Sequence, residues 1–599
     1  MPSPTPVHFR VELANLHAHL FRVTLTIAQP EATQRVSLPV WIPGSYLVRE
    51  FARNLQQLKA RQGSRKLEAS QLDKCTWQVP CAAGKPLVLT YEVYALDNSV
   101  RTAWLDPSRG FFNGTSLCLR VEGQERGPHE LEIVPNPSRM DWALATGLTA
   151  KKVTKKGFGS YVAADYDELA DCPVEMGTFW SGSFVARGVP HRFVVSGASP
   201  SFDGERLLSD TRKICETQID FWHGPAPKTT GKISPTPHKR YIFMLNAVDD
   251  NYGGLEHRNS TALICSRKDL PRLGDPGARV PVKQAEGYTT LLGLISHEYF
   301  HTWNVKRLRP AEFAPYHYGA ENYTQLLWFF EGFTSYYDDL LLRRAQLIDD
   351  ATYLKLLNKT INQVQQTPGR TVQSVAQASF DAWVKYYRQD ENTPNATVSY
   401  YTKGALVALC FDLTLRAQGK TSLDAVMRGL WSRCQGGPMT EADFGEVLQS
   451  LSGRSYAPEI SQWVHSTQEL PLKELLQSWG VGALDDPAQL AQRLGLRISE
   501  NGGVHIKAVL RGGAAEQAGF ASGDEWLGVE TKGKNAQAWR MTKLDDLLLY
   551  AGASRKVGAL VSRDKRLMQL ELTLPPAVTT WRLVPKEAPR ITQWLSPPP

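Results

Sequence analysis

The chain has 599 residues, 42% of them hydrophobic and 21% charged, with a formal net charge of +8. This length predicts several globular domains, and the scattered lysines and arginines exclude a basic stripe of the kind that binds nucleic acid. No window reaches the run of about 18 apolar residues that a membrane-spanning helix needs, so we expect no membrane span.

The N-terminal sequence and the cysteines bear on location and chemistry. The stretch MPSPTPVHFRVELANLHAHLF has no basic segment followed by an apolar one, so no signal peptide is evident and we expect a cytoplasmic protein. The eight cysteines form no CxxC pair and no dense framework. They are typical of small buried thiols and suggest no cysteine-based metal site.

The periodicity of apolar residues predicts a multidomain α+β protein. Residues 1–180 contain short alternating runs such as FRVTLTI and LVLTYEVYAL and predict a β-rich N-terminal domain. Residues 181–475 contain long segments with helical spacing, preceded by the strand KRYIFMLNAV, and predict a mostly helical domain. Residues 488–580 return to short strands and glycine turns, and residues 581–599 are predicted to be a tail ending in QWLSPPP.

Two histidines and a glutamate interrupt the apolar stretch LLGLISHEYFHTWNV of the helical domain. On a helix, residues four apart lie about 40° apart on one face, so His297 and His301 can direct two imidazole nitrogens to one zinc ion. Glu298 can reach a water beside that metal without binding the metal, which is the general-base position of a zinc hydrolase. The alternative is a pair of core histidines that bond backbone carbonyls.

A zinc site of this type needs a third protein ligand. Metzincins place a glycine and a histidine three and six residues after the second histidine of the motif. Here those positions after His301 hold Asn304 and Arg307. The metzincin pattern is therefore excluded, and the third ligand has to be sought further along the chain.

Glu331 is the better candidate, because it lies in the apolar stretch LLWFFEGFTSYY. A carboxylate buried there needs a cation nearby or must be protonated, and a zinc ion would supply that charge. The alternative partner is an arginine, either Arg343 or Arg344. Glu312 and Glu321 are rival ligands, but neither has so apolar a surrounding.

The stretches HEYFHTWNVKRLRP and WFFEGFTSYY resemble the glycyl aminopeptidase family of zinc gluzincins, metallopeptidase family sixty-one, and more distantly aminopeptidase N. The similarity extends over most of the chain, including WIPGSYLVREFARNL and RGFFNGTSL. It implies a thermolysin-like (gluzincin) catalytic domain with one Zn²⁺ per chain, bound by His297, His301 and Glu331. Glu331 and His301 lie further apart than in aminopeptidase N, so residues 307–322 are expected to be an inserted loop that borders the substrate cleft.

The segment NAVDDNYGGLEHRNST follows the predicted strand and carries two glycines, Gly253 and Gly254, that let the backbone approach a ligand closely. It resembles the exopeptidase segment of aminopeptidase N. The resemblance implies that Glu256 binds the α-ammonium of the substrate. His257 stands where that pattern has Asn, and the alternative for Glu256 is an ordinary glutamate of a surface loop.

The stretch SYYTKGALVALC resembles the segment that carries the oxyanion-binding tyrosine of aminopeptidase N relatives. The matching residue is Tyr401. A phenol suits this role because it donates a hydrogen bond to developing negative charge and is itself neutral at pH 7. Tyr400 is the adjacent competitor, and the alternative for either residue is a place in the aromatic core.

The C-terminal stretch RLGLRISENGGVHIKAVLRGGAAEQAGFASGDEWLGV resembles a PDZ domain of the bacterial protease type. The resemblance implies that Leu494, Gly495 and Leu496 form a carboxylate-binding loop whose backbone amides capture peptide C-termini. The alternative is a small β-rich domain that only packs on the catalytic domain.

Together these residues predict a zinc aminopeptidase, a hydrolase that acts on peptides with a free N-terminus. Glu298 would take a proton from the attacking water, and Tyr401 would stabilise the oxyanion. The family resemblance implies a preference for small N-terminal residues such as Gly or Ala. The alternatives are a zinc endopeptidase guided to C-termini by its PDZ domain and a non-catalytic scaffold that binds peptides.

Overall fold

The fold is taken from a computed structural model, in which residues 6–224, 236–275, 286–533 and 536–598 are described. The chain divides into two compact units. The first comprises Met1–Tyr323, Tyr337–Ile348 and Met427–Thr440, and the second Thr324–Tyr336, Asp349–Val426 and Glu441–Pro599. Each unit contains residues from more than one of the predicted domains. The boundaries of those domains stay predictions. Within the described ranges, no helix combines the length and apolar character that crossing a bilayer requires.

The N-terminal part is built almost wholly of strands, which confirms the prediction of a β-rich beginning. Its first strand, Val7–Asn15, pairs antiparallel with the second and parallel with His129–Val134. Alternate residues of this strand are buried, so one face of the sheet packs on the core. The eight strands, in spatial order, are Thr149–Val153, Gly159–Ala163, His129–Val134, Val7–Asn15, Leu20–Ile27, Leu87–Tyr94, Leu55–Gln62 and Arg65–Leu67.

Two four-stranded sheets complete this part, with two short helices, Gly114–Leu117 and Tyr166–Ala170. The buried side chains of all three sheets form one core, which also includes Leu255 and Ile264 of the sheet described next. One sheet contains Ala143–Thr146, Val174–Gly177, Arg109–Phe112 and Ala103–Leu105. The other contains Arg120–Val121, Thr33–Ser37, Thr76–Pro80 and Ser70–Gln71.

A five-stranded sheet carries the glycine segment. Its three inner strands are parallel, and the strand Tyr241–Val248 is buried along nearly its whole length, as its continuous apolar sequence indicates. Residues Gly253–Glu256 form an edge strand, antiparallel to Ser260–Ser266. The order of strands is Trp180–Ala186, Val189–Ser196, Tyr241–Val248, Ser260–Ser266 and Gly253–Glu256.

The helix Glu286–Phe300 contains His297 and is followed directly by His301. It packs against the helix Gly204–His223 and the edge strand. It ends earlier than its apolar pattern suggests, because the chain turns back after His301 and Val305 adopts a φ of 117°. The N–H of Lys306 bonds the carbonyl of His301 at 3.1 Å and thereby satisfies one of the last helical carbonyls.

The remaining helices confirm that the region after the motif is mostly helical. Gly332 and Gly404 let two of them approach closely, because a Cβ at Gly332 would lie 2.5 Å from the Cα of Gly404. These helices are Leu327–Phe330, Gly332–Arg344, Asp350–Gln365, Val375–Phe380, Thr393–Ala396, Tyr400–Gln418, Leu423–Arg433, Glu441–Ser452, Ala457–Trp463 and Leu472–Ser478.

Residues 488–578, which we call the C-terminal module, form an antiparallel sheet with a separate hydrophobic core. Its strands are Leu496–Ser499, Val504–Val509, Glu525–Thr531, Ala538–Arg540, Lys556–Arg563 and Arg566–Thr573. Its helices are Leu490–Leu494, Ala514–Ala518 and Asp546–Ala551.

The C-terminal module is inserted between two paired strands. Val481–Pro487 precedes it and Thr579–Pro585 follows it, and the two strands pair antiparallel with Pro487 opposite Thr579. Residues 581–599, predicted as a tail, contain most of this second strand and the helix Ala588–Leu595. The apolar residues of this helix lie on one helical face. Trp594 is completely buried, beside the ring of Tyr353.

Candidate active site

The side chains of His297 and His301 face each other, with their Nε2 atoms 3.0 Å apart. The spacing of four survives the end of the helix, because the N–H of His301 still bonds the carbonyl of His297. Nδ1 of His301 lies 2.7 Å from the carbonyl oxygen of Asn304, and Nδ1 of His297 lies 3.0 Å from Oδ2 of Asp338. A carbonyl only accepts, so Nδ1 of His301 carries the proton and its Nε2 presents a lone pair.

These histidines fit a bound cation. With both Nδ1 atoms donating, the two Nε2 atoms are acceptors that cannot bond each other, and a metal ion would satisfy both. His297, His301 and Glu331 each offer a ligand atom, and these atoms lie within 4.8 Å of one another. Among the described residues this is the one such group of three or more His, Cys, Asp or Glu side chains. Two imidazoles and a carboxylate are a ligand set that catalytic zinc uses.

Asp338 was not predicted from the sequence. It lies seven residues after Glu331, two helical turns further on, and that spacing was the available signal. Its hydrogen bond with Nδ1 of His297 orients the imidazole, as carboxylates commonly do for metal-binding histidines. We therefore expect Asp338 to position His297 for metal binding.

We expect Asp338→Asn to weaken zinc binding by about 10- to 100-fold, because an amide holds the imidazole less firmly and makes it less basic. The affinity is measured by competition with a chromophoric chelator. Glu441→Gln is the matched control, because it removes a similar carboxylate from His465, 2.9 Å away, outside the metal-binding set. Unchanged zinc affinity in Asp338→Asn would contradict the positioning role.

Glu298 is 5% exposed and lies against the edge strand of the five-stranded sheet. A Cβ at Gly254 would overlap its carboxylate, so only glycine allows the strand to pass so close. The structure places Gly254 beside the predicted base, and the approach of Gly253 and Gly254 to a ligand stays a prediction. Nη2 of Arg101 donates to the carbonyl of Gly254 at 3.0 Å and holds the strand in place, a contact that the sequence did not reveal.

Glu256 ends the edge strand, with 4% of its surface exposed. Its Oε1 atom is buried and has no hydrogen-bonding partner among the described residues. A Cβ at Gly44, whose φ is +94°, would lie 2.5 Å from this oxygen. Gly44 belongs to the stretch WIPGSY, so the N-terminal part of the chain forms one wall around the carboxylate.

Residues 307–322 pack on this same stretch. Trp41 donates from its indole nitrogen to the carbonyl of His317 at 2.9 Å, and the ring of Phe313 lies 5.8 Å from that of Tyr46. The short strand Arg309–Pro310 also pairs with Pro438–Met439. The inserted loop therefore supports the wall beside Glu256, and its position along a substrate cleft stays a prediction.

His257 has a structural role that explains its departure from the aminopeptidase N pattern. It is buried, and its Nδ1 lies 3.1 Å from Oδ1 of Asp171, which also binds the ammonium of Lys306 at 2.6 Å. Burial acts to raise the pKa of Asp171, but the charge of Lys306 and the His257 hydrogen bond hold it well below its usual range. His257 therefore belongs to a buried ionic cluster behind the edge strand.

Tyr401 is half-buried, whereas Tyr400 is fully buried. Burial raises the pKa of Tyr401 well above its usual value, and the carboxylate of Glu331 raises it further. The phenol is therefore neutral at pH 7, lies near the predicted zinc ligand and can donate a hydrogen bond. Its oxygen lies 3.3 Å from that of Tyr387, a neighbour that was not predicted.

Leu494, Gly495 and Leu496, the predicted carboxylate loop, connect a helix to the first strand of the C-terminal module. Both leucines are buried in the module core. The N–H of Gly495 donates to the carbonyl of Gln492 at 3.1 Å, so this amide is already engaged. Capture of peptide C-termini by the loop stays a prediction.

The chain is similar to known proteins in sequence and in fold. The family described as "Peptidase M61 N-terminal domain" matches residues 8–178, and the family described as "M61 glycyl aminopeptidase" matches residues 290–407. The crystal structure of an aminopeptidase N family protein from Idiomarina loihiensis is 36% identical, with a TM-score of 0.91 over 99% of this chain and 100% of that chain.

A second solved structure, the M1 zinc metallopeptidase from Deinococcus radiodurans, is 14% identical, with a TM-score of 0.47 over 78% of this chain and 94% of that chain. That likeness is too distant to bear on the site. A search of curated proteins gave no match. The full-length similarity to the first structure and the two matching family domains show that the chain belongs to the M61 glycyl aminopeptidase family and is a metallopeptidase.

Proposed function

We propose that the protein is a zinc-dependent aminopeptidase, with one zinc ion per chain, that removes single small residues such as Gly or Ala from free peptide N-termini. The observation that carries this proposal is the pair of Nε2 atoms 3.0 Å apart, with Glu331 completing the ligand set. The description of the matching family as glycyl aminopeptidases supports the preference for small residues.

His297, His301 and Glu331 would hold the zinc ion. When bound, the ion would act as a Lewis acid that polarises the peptide carbonyl. Glu298 takes a proton from the attacking water and then delivers it to the leaving amine. The contact with Gly254 limits the positions that this carboxylate can occupy, so the base is oriented before the substrate binds.

Tyr401 donates a hydrogen bond to the oxygen that becomes negative when the carbonyl is attacked. Its raised pKa makes it a donor over the whole neutral range. Tyr400 is fully buried in the described structure, which supports Tyr401 as the residue that meets the substrate.

Glu256 binds the ammonium of the substrate in this proposal. Its buried Oε1 lacks a partner within the described residues, and an ammonium would satisfy it by a charge-assisted hydrogen bond. The close approach of Gly44 restricts the space beside this carboxylate, which supports a small N-terminal residue. The same carboxylate disfavours the endopeptidase alternative, because an internal peptide bond offers no positive charge there.

The PDZ-like identity of the C-terminal module is also part of the proposal. Its antiparallel sheet and its helix Asp546–Ala551 support such a fold. Capture of a terminal carboxylate by the loop would require Gly495 to release its hydrogen bond to Gln492. The scaffold alternative would leave the metal ligands, the base and the tyrosine without a purpose.

We expect Glu256→Ala to lower kcat/KM for alanine arylamide by roughly 10- to 100-fold, because a charge-assisted hydrogen bond of about 1.5–3 kcal/mol is lost. The zinc content should stay near one per chain. Activity is measured with free and N-acetylated substrates, and the difference between the two should be much smaller in the variant.

Glu256→Gln serves as the control for shape, because it keeps the volume and removes only the charge. It should behave like the alanine variant if attraction of the ammonium is the main effect. Cleavage of acetylated peptides by the wild type as fast as free ones would reject the aminopeptidase in favour of the endopeptidase.

A further inference from the structure

A cavity of about 390 Å³ lies within the second compact unit, between the helical segment and the C-terminal module. Thr367, Tyr386 and Ser399 line it on the helical side, and Arg497 and Lys507 line it from the module. This volume falls in the range of about 300–1,000 Å³ that small-molecule sites occupy.

The two walls of the cavity are tied together by hydrogen bonds. The amide of Asn395 donates to the carbonyl of Val509 at 2.9 Å and accepts from the N–H of Arg511 at 2.9 Å. Gln492 of the module donates to Gln366 at 3.0 Å. These hydrogen bonds connect the strand that carries Lys507 to the helical wall of the cavity.

One aromatic ring separates this cavity from the proposed oxyanion donor. The ring of Tyr386, which lines the cavity, stacks on that of Tyr401 with centroids 5.4 Å apart and an interplanar angle of 30°. It also packs on Tyr400 at 4.9 Å. The cavity and the proposed oxyanion donor are therefore in contact with the same ring, that of Tyr386.

Arg497 and Lys507 lie on the same face of two neighbouring strands. Leu496 and Ile506 are buried in the module core, whereas Ala508 lines the cavity together with Arg497 and Lys507. Arg497 pairs with Ala508, and the register shifts between Arg497 and Ile498, so Lys507 is an extra residue between this pair and the core pair Ile498–Ile506. Both cations therefore point away from the module core, on the face that lines the cavity.

Arg497 and Lys507 share the cavity lining with two acidic residues, Asp390 and Glu391, but pair with neither of them. Neither side chain forms a hydrogen bond or ion pair with the part of the chain that the structure describes. Of the two acidic residues in the lining, Asp390 is engaged in its own turn, accepting from the N–H of Asn392 at 3.0 Å, and Glu391 is exposed. The cavity thus offers an unused pair of positive charges beside the tyrosines.

We propose that Arg497 and Lys507 bind the C-terminal carboxylate of short peptide substrates, so that the C-terminal module measures peptide length and selects peptides of a few residues. This inference rests on the proposed function, because it concerns the substrate of the same site. An arginine fork and an ammonium together suit a carboxylate, and such charge-assisted contacts are stronger than neutral ones.

A carboxylate in this cavity could come from the chain terminus or from an acidic side chain. Peptides of three to five alanines are therefore tested as free acids, as C-terminal amides and as amides that end in Glu. Alanine arylamide, which has no carboxylate, reports on the proposed function alone. If the wild type fails to hydrolyse it, the proposed function is rejected, whatever the peptides show.

In the wild type we expect kcat/KM for the free acid to exceed that for the amide by roughly five- to tenfold at one of these lengths. The double variant Arg497→Gln/Lys507→Gln should lose this preference, and added salt should reduce it in the wild type. The double variant Lys565→Gln/Arg566→Gln, which removes the same charge from a hairpin turn outside the cavity lining, should keep it.

The ratio of kcat/KM for the free acid to kcat/KM for the amide is measured within each variant. A general loss of activity lowers both values and leaves this ratio unchanged. Zinc content and circular dichroism establish that the variants are folded. The proposal is overturned if the wild type shows no preference at any length or if the double variant Arg497→Gln/Lys507→Gln keeps it. An equal gain from a C-terminal Glu amide would overturn recognition of the chain terminus.

Discussion

Glu298→Gln is expected to retain about one zinc ion per chain and to lose roughly 100- to 10,000-fold in kcat. Glutamine keeps the shape of the side chain and its place beside Gly254, but it cannot accept the proton of the attacking water. The metal ligands are untouched, so the metal content and the activity should separate. Both are measured on the same preparation, by atomic absorption and by arylamide hydrolysis.

Glu321→Gln is the matched control for this variant. Glu321 was a rival candidate from the sequence, but it lies outside the group of residues that could hold a metal among those described. It should keep both zinc and turnover within about twofold, as expected for a substitution outside the site. Near-normal turnover in Glu298→Gln would exclude Glu298 as the base.

His301→Ala is expected to lose its zinc together with at least about a thousandfold in activity, because the bound metal contributes several kcal/mol to catalysis. Nδ1 of His301 donates to the carbonyl of Asn304, and this contact aims Nε2 at Nε2 of His297. Removal of the imidazole leaves two ligands, too few for a stable catalytic site.

The exposed His465, which bonds Glu441 on the surface, provides the control. His465→Ala should keep stoichiometric zinc after the same dialysis. Excess zinc added to His301→Ala tests whether weak binding restores some turnover. Stoichiometric zinc in dialysed His301→Ala would show that the metal site has been assigned to the wrong residues.

The proposed substrate-binding side of the site depends on segments that are far apart in the sequence. Gly44 of the N-terminal part touches Glu256, and the aromatic residues of the inserted loop pack on the stretch that contains Gly44. The β-rich domain therefore contacts the proposed site, although the predicted metal ligands and the predicted base lie outside this domain. The domain supplies a wall of the proposed N-terminal subsite as well as a core of its own.

The local features of this protein were predictable from the sequence. The spacing of His297 and His301 determines that their imidazoles meet, because a backbone hydrogen bond between residues four apart sets their relative position. Alternation in the N-terminal strands and helical spacing after the motif likewise depend on the geometry of neighbouring residues. Family membership was predicted from the motif stretches and is confirmed.

Only the tertiary structure decided the contacts between distant residues. The support of His297 by Asp338, the contact of Gly254 with Glu298 and the packing of Gly44 on Glu256 join segments that no local pattern relates. The insertion of the C-terminal module and the burial of Trp594 have the same cause. Periodicity records which face of an element is buried, but the partner that buries it is determined by how the whole chain packs.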